Sequence, residues 1–435
     1  MENAFEHVKE LCCRVRAAAP AVSVLDHAAR CAVLQAMARE LVANTDAILA
    51  ANAEDLAHAA ENGVPAVMMD RLKLTAERIV AIAEGVEALI ALPDPLAGEE
   101  SWDRPSGLHI IRKKVPFGVV AMIYEARPNV TADAAALAIK SGNAVVLRGG
   151  KEAIKTNCAI VTALGTALAD CKLSPDVVGL VTDTSRDSAA ALLSMRGLVD
   201  VLIPRGGKGL IRNCVDNAKV PVIETGAGNC HIYVDADADL EKALRVAVNA
   251  KCQRPSVCNA AESLICHRAV AEKFLPAFYA ATRKWNVAFR ACPLSLPLLP
   301  EATPATDEDF YTEYNDYIMS VKVVDSVLEA VEHINRTGTG HSEAILTEND
   351  EAAALFMNLV DAAAIYRNAS TRFTDGGEFG FGAEIGISTQ KMHARGLVSK
   401  FPYLLLLNIF FPPTYKFILF NYNIFFCFFI YVYII

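Results

Sequence analysis

Gly118-Val-Val-Ala-Met-Ile-Tyr124, Asn143-Ala-Val-Val-Leu147, Val177-Val-Gly-Leu-Val181, Val199-Asp-Val-Leu-Ile203 and Val220-Pro-Val-Ile223 are short, almost unbroken apolar runs. Helix-patterned stretches separate them: Thr131–Lys140, residues 151–169, Ser185–Met195 and the segment after Gly209. Continuous rather than alternating apolar strands belong to a parallel sheet covered on both faces, and strict β–α alternation predicts that sheet. Such sheets bind ligands beyond the carboxyl ends of their strands, which points to the loops Arg148–Gly150 and Arg205–Gly209.

The same rhythm resumes further on. Helical Leu240–Ala250 precedes the loop Gln253-Arg-Pro-Ser-Val-Cys-Asn259 and the strand Ser263–Cys266. Strands at Ile318–Val324, Glu343–Leu346 and Ala363–Tyr366 alternate with helices at Val327–Ile334 and Ala352–Val360. Upstream, Leu25–Ala60 and Arg71–Leu92 have helical spacing, with Asp26 placed to cap the first. Ser101–Lys114 reads as a hairpin or arm. The expectation is two Rossmann-like α/β domains, residues 1–226 with an arm near 99–116 and residues 227–390, followed by an atypical hydrophobic tail, 397–435.

Composition narrows the function. At 435 residues, 53% hydrophobic and 21% charged, the chain has material for large cores and is not a disordered protein. A net charge of −9 argues against nucleic acid as a partner, since phosphate binding asks for a basic face. The 12 cysteines form no CxxC pair and Met1 begins no signal peptide, so reduced thiols and a cytoplasmic location are expected. No metal site is expected: there is no HExxH and no His/Cys pair at ligand spacing. Residues 401–435 stand apart. They hold nine Phe, five Tyr and a single charge, Lys416, and 417–435 is uncharged. A membrane anchor, a buried element and translated non-coding sequence are the three readings. The last is preferred, because the usage is that of AT-rich codons and shows no helical or strand period; membrane is not an expected partner.

A few residues carry possible chemistry. Cys258 lies in a polar loop four residues after Arg254, and a neighbouring cation favours the reactive thiolate. The plain alternative is a small buried hydrophobe, the reading kept for Cys12, Cys13, Cys31 and Cys266. Glu224 ends a strand before Thr225-Gly-Ala-Gly228, where α/β sites form; it reads equally as a solvated strand end. Asn129 either caps a helix or offers an amide to an oxyanion. Pro204-Arg-Gly-Gly-Lys-Gly209 leads from a strand into a helix and suits an anion, without being GxGxxG or a Walker loop. Arg148 fits a 2′-phosphate or an ordinary surface ion pair.

Taken together, Val115-Pro-Phe-Gly-Val119, Tyr124-Glu-Ala-Arg-Pro-Asn-Val130, Ile203-Pro-Arg-Gly-Gly-Lys-Gly209, Glu224-Thr-Gly-Ala-Gly-Asn-Cys-His231, Gln253-Arg-Pro-Ser-Val-Cys-Asn-Ala260, Gly338-Thr-Gly-His-Ser-Glu-Ala344 and Asn368-Ala-Ser-Thr-Arg-Phe373 closely resemble the gamma-glutamyl phosphate reductases, also called glutamate-5-semialdehyde dehydrogenases. These belong to the aldehyde dehydrogenase superfamily, and the resemblance covers about residues 1–396. It implies that fold: a coenzyme-binding domain, a catalytic domain and a small β oligomerisation arm. It also implies NADPH-dependent reduction of L-glutamyl 5-phosphate to L-glutamate 5-semialdehyde in proline biosynthesis. Carried over by position, Cys258 is the nucleophile, Asn129 the oxyanion amide and Glu224 the general base, with the superfamily's 34-residue spacing between Glu224 and Cys258. Arg148 is placed on the adenosine ribose and Glu313 near the nicotinamide ribose. Gly206, Gly207 and Gly209 fall in the pyrophosphate region of NADP(H). Chemistry and loop position add Arg127 and Arg254 as phosphate partners, and Asn368, Ser370, Thr371 and Arg372 for the glutamyl carboxylate or amine.

After Gly396 the chain departs from the family, which continues with a glycine-rich turn and a final strand that packs on a neighbouring subunit. A homo-oligomer is expected from the family, and this departure bears on it. No kinase domain precedes Met1, so the fused two-step enzyme is not expected. Two rivals remain: a superfamily relative oxidising another aldehyde, with Glu224 hydrolysing the thioester, and a non-catalytic membrane-anchored relative.

Overall fold

The computed structural model describes residues 2–64, 66–107, 109–125, 127–380, 384–391, 396–399, 418–419 and 430–433. Five helices open the chain: α1 (Glu2–Ser23), α2 (His27–Ala43), α3 (Thr45–Glu61), α4 (Ala66–Leu72) and α5 (Ala76–Ala88). Asp26 caps α2 as its position implied, its Oδ1 accepting from the Ala29 N–H at 2.7 Å. The helix α1 was not foreseen. Val8, Leu11, Cys12, Val15 and Val22 line its buried stripe, which packs on the first sheet.

The arm is an exposed antiparallel hairpin of β1 (Glu99–Asp103) and β2 (His109–Lys113), in register Glu99 to Lys113. Then comes the first sheet: β3 (Val119–Tyr124), α6 (Asn129–Lys140), β4 (Ala144–Arg148), α7 (Ile154–Asp170), β5 (Val178–Leu180), α8 (Arg186–Leu193), β6 (Val201–Arg205) and α9 (Lys208–Asn217). Its strands are parallel in the order β5-β4-β3-β6, and Val222 bridges to Leu202 beyond β6. Every residue of β3 is buried, as its unbroken apolar run requires. Five alanines of α6 let that helix sit close on the sheet. The chain order reverses between β3 and β6, so their carboxyl ends part and leave a crevice at the switch point.

The second sheet is built from β7 (Cys230–Val234), α10 (Leu240–Cys252), β8 (Ala261–His267), α11 (Arg268–Thr282), β9 (Ala288–Ala291), β10 (Thr303–Pro304), β11 (Ile318–Val324), α12 (Val327–Thr337), β12 (Ser342–Leu346), α13 (Asp350–Leu359) and β13 (Ala364–Arg367). The order β10-β9-β11-β8-β7-β12-β13 is parallel throughout. Two doubly wound units are therefore present.

The chain then returns to the first unit. In β14 (Glu384–Ser388), which pairs with β15 (Gly396–Ser399), Ile385 packs against the first core. The Ile387 carbonyl accepts from Gly226 N–H at 3.0 Å, and Gln390 Oε1 accepts from Glu224 N–H at 3.0 Å. Residues 384–390 thus belong, by packing, with the unit that sequence order assigned to residues 1–226. Of the tail, β16 (Ile418–Leu419) and β17 (Ile430–Tyr433) pair antiparallel with β13 and β2. Apart from residues 397–399 in β15, the rest of the tail lies outside the described residues. Among the described residues no helix is long and apolar enough to cross a membrane.

One buried ion pair ties the Cys258 loop shut. Lys251, in the last turn of α10, meets Glu262, at the start of β8, at 2.6 Å, and both side chains are fully buried. Glu262 Oε1 also accepts from Asn315 N–H at 3.1 Å. Burial drives Lys251 down and Glu262 up, each toward its neutral form, and their attraction opposes both. Removing one partner of such a pair strands the other charge. Lys251→Met is therefore expected to lower the unfolding free energy by about 3–5 kcal/mol, checked by urea denaturation against the parent chain.

Candidate active site

Cys258 sits half-buried in the loop between α10 and β8. Three contacts fix its backbone. Cys230 Sγ donates to the Cys258 carbonyl at 3.2 Å. Asn259, next in the chain, donates through Nδ2 to the carbonyls of Arg372 (3.3 Å) and Thr374 (2.9 Å). Gly228 passes so close that a Cβ there would lie 1.4 Å from the Cys258 carbonyl oxygen. Glu313 Oε1 holds this crossing strand by accepting from Gly228 N–H at 2.8 Å.

Arginine charges act on the thiol. Burial pushes Cys258 up, and Arg205 is the cation that most opposes this. Glu384 and Glu313 add to the rise. Arg127 and Arg372 lie within electrostatic reach of the same thiol and both sense Arg254. Burial and the neighbouring guanidiniums push Arg127 below the ordinary arginine range. Positive charge crowded around a half-buried sulfur calls for an anionic ligand.

A cleft opens beside this cluster at the first sheet's switch point. Arg127 follows β3, Arg205 ends β6, and Asn129, Asp133, Glu384 and Ile385 complete most of the wall of a cavity of about 60 Å³. The Asn129 amide donates to Asp133 Oδ2 at 2.9 Å. Burial raises Asp133 to about 6. Glu384 accepts from Gly376 N–H at 3.0 Å through one oxygen and is raised by burial, which Arg205 offsets in part. Behind Cys258 lies a polar chain: Tyr366 hydroxyl to Thr374 Oγ1 at 2.6 Å, Thr374 to Ser342 Oγ at 2.7 Å, Ser342 to His341 Nδ1 at 2.8 Å. Burial takes His341 down to about 4, so its imidazole is neutral.

Against known proteins, the sequence model of the Aldehyde dehydrogenase family matches residues 2–291. The chain is 61% identical over 365 residues to the gamma-glutamyl phosphate reductase of Streptococcus suis (strain 05ZYH33), covering 83% of this chain and 88% of that one. It is 53% identical over 390 residues to that of Enterococcus faecalis, covering 89% and 94%. The crystal structure of the Thermotoga maritima gamma-glutamyl phosphate reductase superposes with a TM-score of 0.89 at 44% identity, covering 96% of this chain and 99% of that one. The chain belongs to the aldehyde dehydrogenase family. Its fold is the aldehyde-dehydrogenase-like α/β arrangement, and within the family it groups with the gamma-glutamyl phosphate reductases.

The residues expected from family position and from loop chemistry do not all converge. Cys258, Arg127, Arg254 and Arg372 do. Asn368 does not: it follows the carboxyl end of β13, whereas Cys258 precedes the amino end of the parallel β8. Its amide is spent on Thr347, accepting from N–H and donating to the carbonyl, each at 2.9 Å. Ser370 Oγ caps Arg372 N–H at 3.2 Å, and Thr371 is buried with its hydroxyl unpartnered. The carboxylates that weigh most on Cys258 are Glu384 and Glu313; Glu224 is raised by burial and by Asp216. Arg148 Nη2 donates to the carbonyls of Thr184 (2.7 Å) and Ser185 (3.0 Å), leaving Nε buried and unpartnered.

At the α9 N-terminus, a Cβ on Gly206 would lie 2.7 Å from Glu125 Cδ, and the Gly207 N–H donates to Glu125 Oε2 at 3.0 Å. Here an internal carboxylate is held by a backbone amide at the helix N-terminus, so the cradle fits an anion. Gly209 is open. Sequence reasoning missed Arg205, Glu384, Asp133, Glu125 and His341. Arg205 alone had a signal, its place in the glycine-rich loop.

Because burial holds the Cys258 thiol up, its iodoacetamide alkylation is expected to accelerate with pH beyond the ordinary thiol range. Arg205→Gln is expected to slow alkylation at about pH 8. Equal rates in the two proteins would contradict this electrostatic assignment. Gly228→Ala is expected to abolish activity, since no rotamer change moves a Cβ off a backbone carbonyl; retained activity would show that the crossing strand can shift.

Proposed function

We propose that this chain reduces L-glutamyl 5-phosphate to L-glutamate 5-semialdehyde and phosphate with NADPH, the second step of proline biosynthesis. The observation that carries the reading is a half-buried Cys258 within reach of Arg127, Arg205 and Arg372, in a chain 61% identical to a gamma-glutamyl phosphate reductase.

The Cys258 thiolate attacks the acyl carbon, the carbon–oxygen bond to phosphorus breaks, and phosphate leaves with the bonding pair, giving a thioester. Arg127, Arg254 and Arg372 are suited to the departing phosphate, because guanidinium forks match its oxygens. Burial makes deprotonation of Cys258 costly, and Arg205 lowers that cost. Asn129 gives one amide N–H to Asp133 and keeps a second to offer an oxyanion. Glu224 activates no water in this direction and has no necessary part. The family's nicotinamide coenzyme supplies hydride to the thioester when bound. Gly206, Gly207 and Gly209 at the α9 N-terminus are the residues that hold its pyrophosphate, after Glu125 yields, and Arg148 the residue that meets a 2′-phosphate. Glu313 both clamps Gly228 and stands for the nicotinamide ribose.

The hairpin of β1 and β2, with β1 exposed and Trp102 at the surface, is read as the arm through which copies associate. All 11 described cysteines are free, in keeping with a reducing compartment, the cytoplasm.

The test is the reverse reaction. NADP reduction by glutamate semialdehyde is expected to require phosphate, and Cys258→Ala is expected to lose about a thousandfold or more of the rate. Phosphate-independent oxidation would favour the hydrolytic aldehyde dehydrogenase instead.

A further inference from the structure

The cleft at the switch point carries charges of both signs. Arg127 and Arg205 line it together with Asp133, Glu384 and Asn129. A phosphate group has only acceptors at neutral pH and leaves two carboxylates facing a like charge. An apolar aldehyde offers no partner to any of the four groups. A zwitterion satisfies both pairs: a carboxylate accepts from the guanidiniums, and an ammonium donates to the carboxylates. The arginines left over, Arg254 and Arg372, sense each other and flank Cys258, where a leaving phosphate has to be met.

We propose that this cleft binds the α-ammonium and α-carboxylate of the substrate, with Glu384 and Asp133 holding the ammonium and Arg127 and Arg205 the carboxylate. The assignment rests on the functional reading above. It moves the amino-acid end from the Asn368–Arg372 loop to the crevice between β3 and β6.

The geometry supports the move in three ways. In a glutamyl substrate the α-carbon stands three carbon–carbon bonds from the reacting carbonyl, so its pocket must adjoin Cys258 without containing it. The cleft meets that condition: its wall includes Ile385, the Ile387 carbonyl two residues on accepts from Gly226 N–H at 3.0 Å, and Gly228, two residues further, packs on the Cys258 carbonyl. Glu384 spends one oxygen on Gly376, which orients the other. Gly386, two residues on, has no room for a side chain: a Cβ would lie 2.4 Å from Thr225 Cγ2 and 3.3 Å from Arg205 Nη1. That glycine lets the acidic strand lie directly against the basic one.

The test compares ligands that differ only at the α-carbon. Protection of Cys258 from iodoacetamide is measured for L-glutamate and for glutarate, which lacks the ammonium. Phosphate-dependent kcat/KM is measured for glutamate semialdehyde and for 5-oxopentanoate. In the parent protein L-glutamate is expected to protect at about tenfold lower concentration than glutarate, the worth of one hydrogen bond between charged groups. In Glu384→Gln this ratio is expected to fall toward one, with glutarate protection unchanged, and the kcat/KM ratio of the two aldehydes to fall with it. Asp133→Asn is expected to do the same. Unchanged glutarate protection also reports that the variants are folded.

A preserved glutamate preference in both variants overturns the proposal. So does an equal loss of glutamate and glutarate, which marks a structural role. A parent protein that prefers L-glutamate, loses the preference in Glu384→Gln and yet shows no phosphate-dependent turnover leaves the pocket standing and overturns the reaction.

Discussion

The site depends on the buried contact between Lys251 and Glu262. Two opposite charges with no exposed surface bind the end of α10 to the start of β8. Everything between them, including Cys258, is a loop whose ends cannot part without stranding a charge in the protein interior. The same glutamate accepts from Asn315, and so fixes the segment that carries Glu313. Glu313 in turn holds Gly228 against the Cys258 carbonyl. A reactive thiol needs a fixed position more than it needs a stable surrounding. This chain of contacts supplies the position from a single buried pair.

Around that fixed point the two sheets play unequal parts. The first offers the carboxyl ends of its strands, the usual ligand-binding end of a doubly wound sheet. The second offers its amino ends, where Cys258, Cys230 and His341 lie. Its own carboxyl ends are filled from within: Asp235 accepts from the Tyr233 and Thr347 hydroxyls, and Asn368 from Thr347 N–H. A satisfied polar cluster has nothing left to offer a ligand, so one sheet binds through its crevice and the other serves as a platform.

Much of this was legible in the sequence, because burial writes itself as periodicity. The unbroken run Val119–Tyr124 is fully buried in a parallel strand, and Asp26 caps its helix. Cys258 stood out through its polar loop and the motif around it. What stayed hidden were residues whose role comes from long-range packing. Nothing local marks Glu384, which reaches Arg205 only because β14 folds back on the first unit. Nothing local separates Asn368 from Arg372, four residues apart, although one lies at the wrong end of the sheet. The helix α1 was overlooked because its buried stripe is made largely of small and valine side chains, a weak periodic signal.

The returning strand has a mechanical consequence. Arg127, Arg205 and Asp133 are anchored in the first unit, while Glu384 arrives on a segment emitted from the second. A ligand gripped by both therefore acts as a rivet that holds the returning segment on the first unit. Its binding energy is added to the cohesion of that segment with the unit it packs on, so occupancy and the segment's resistance to detachment rise together.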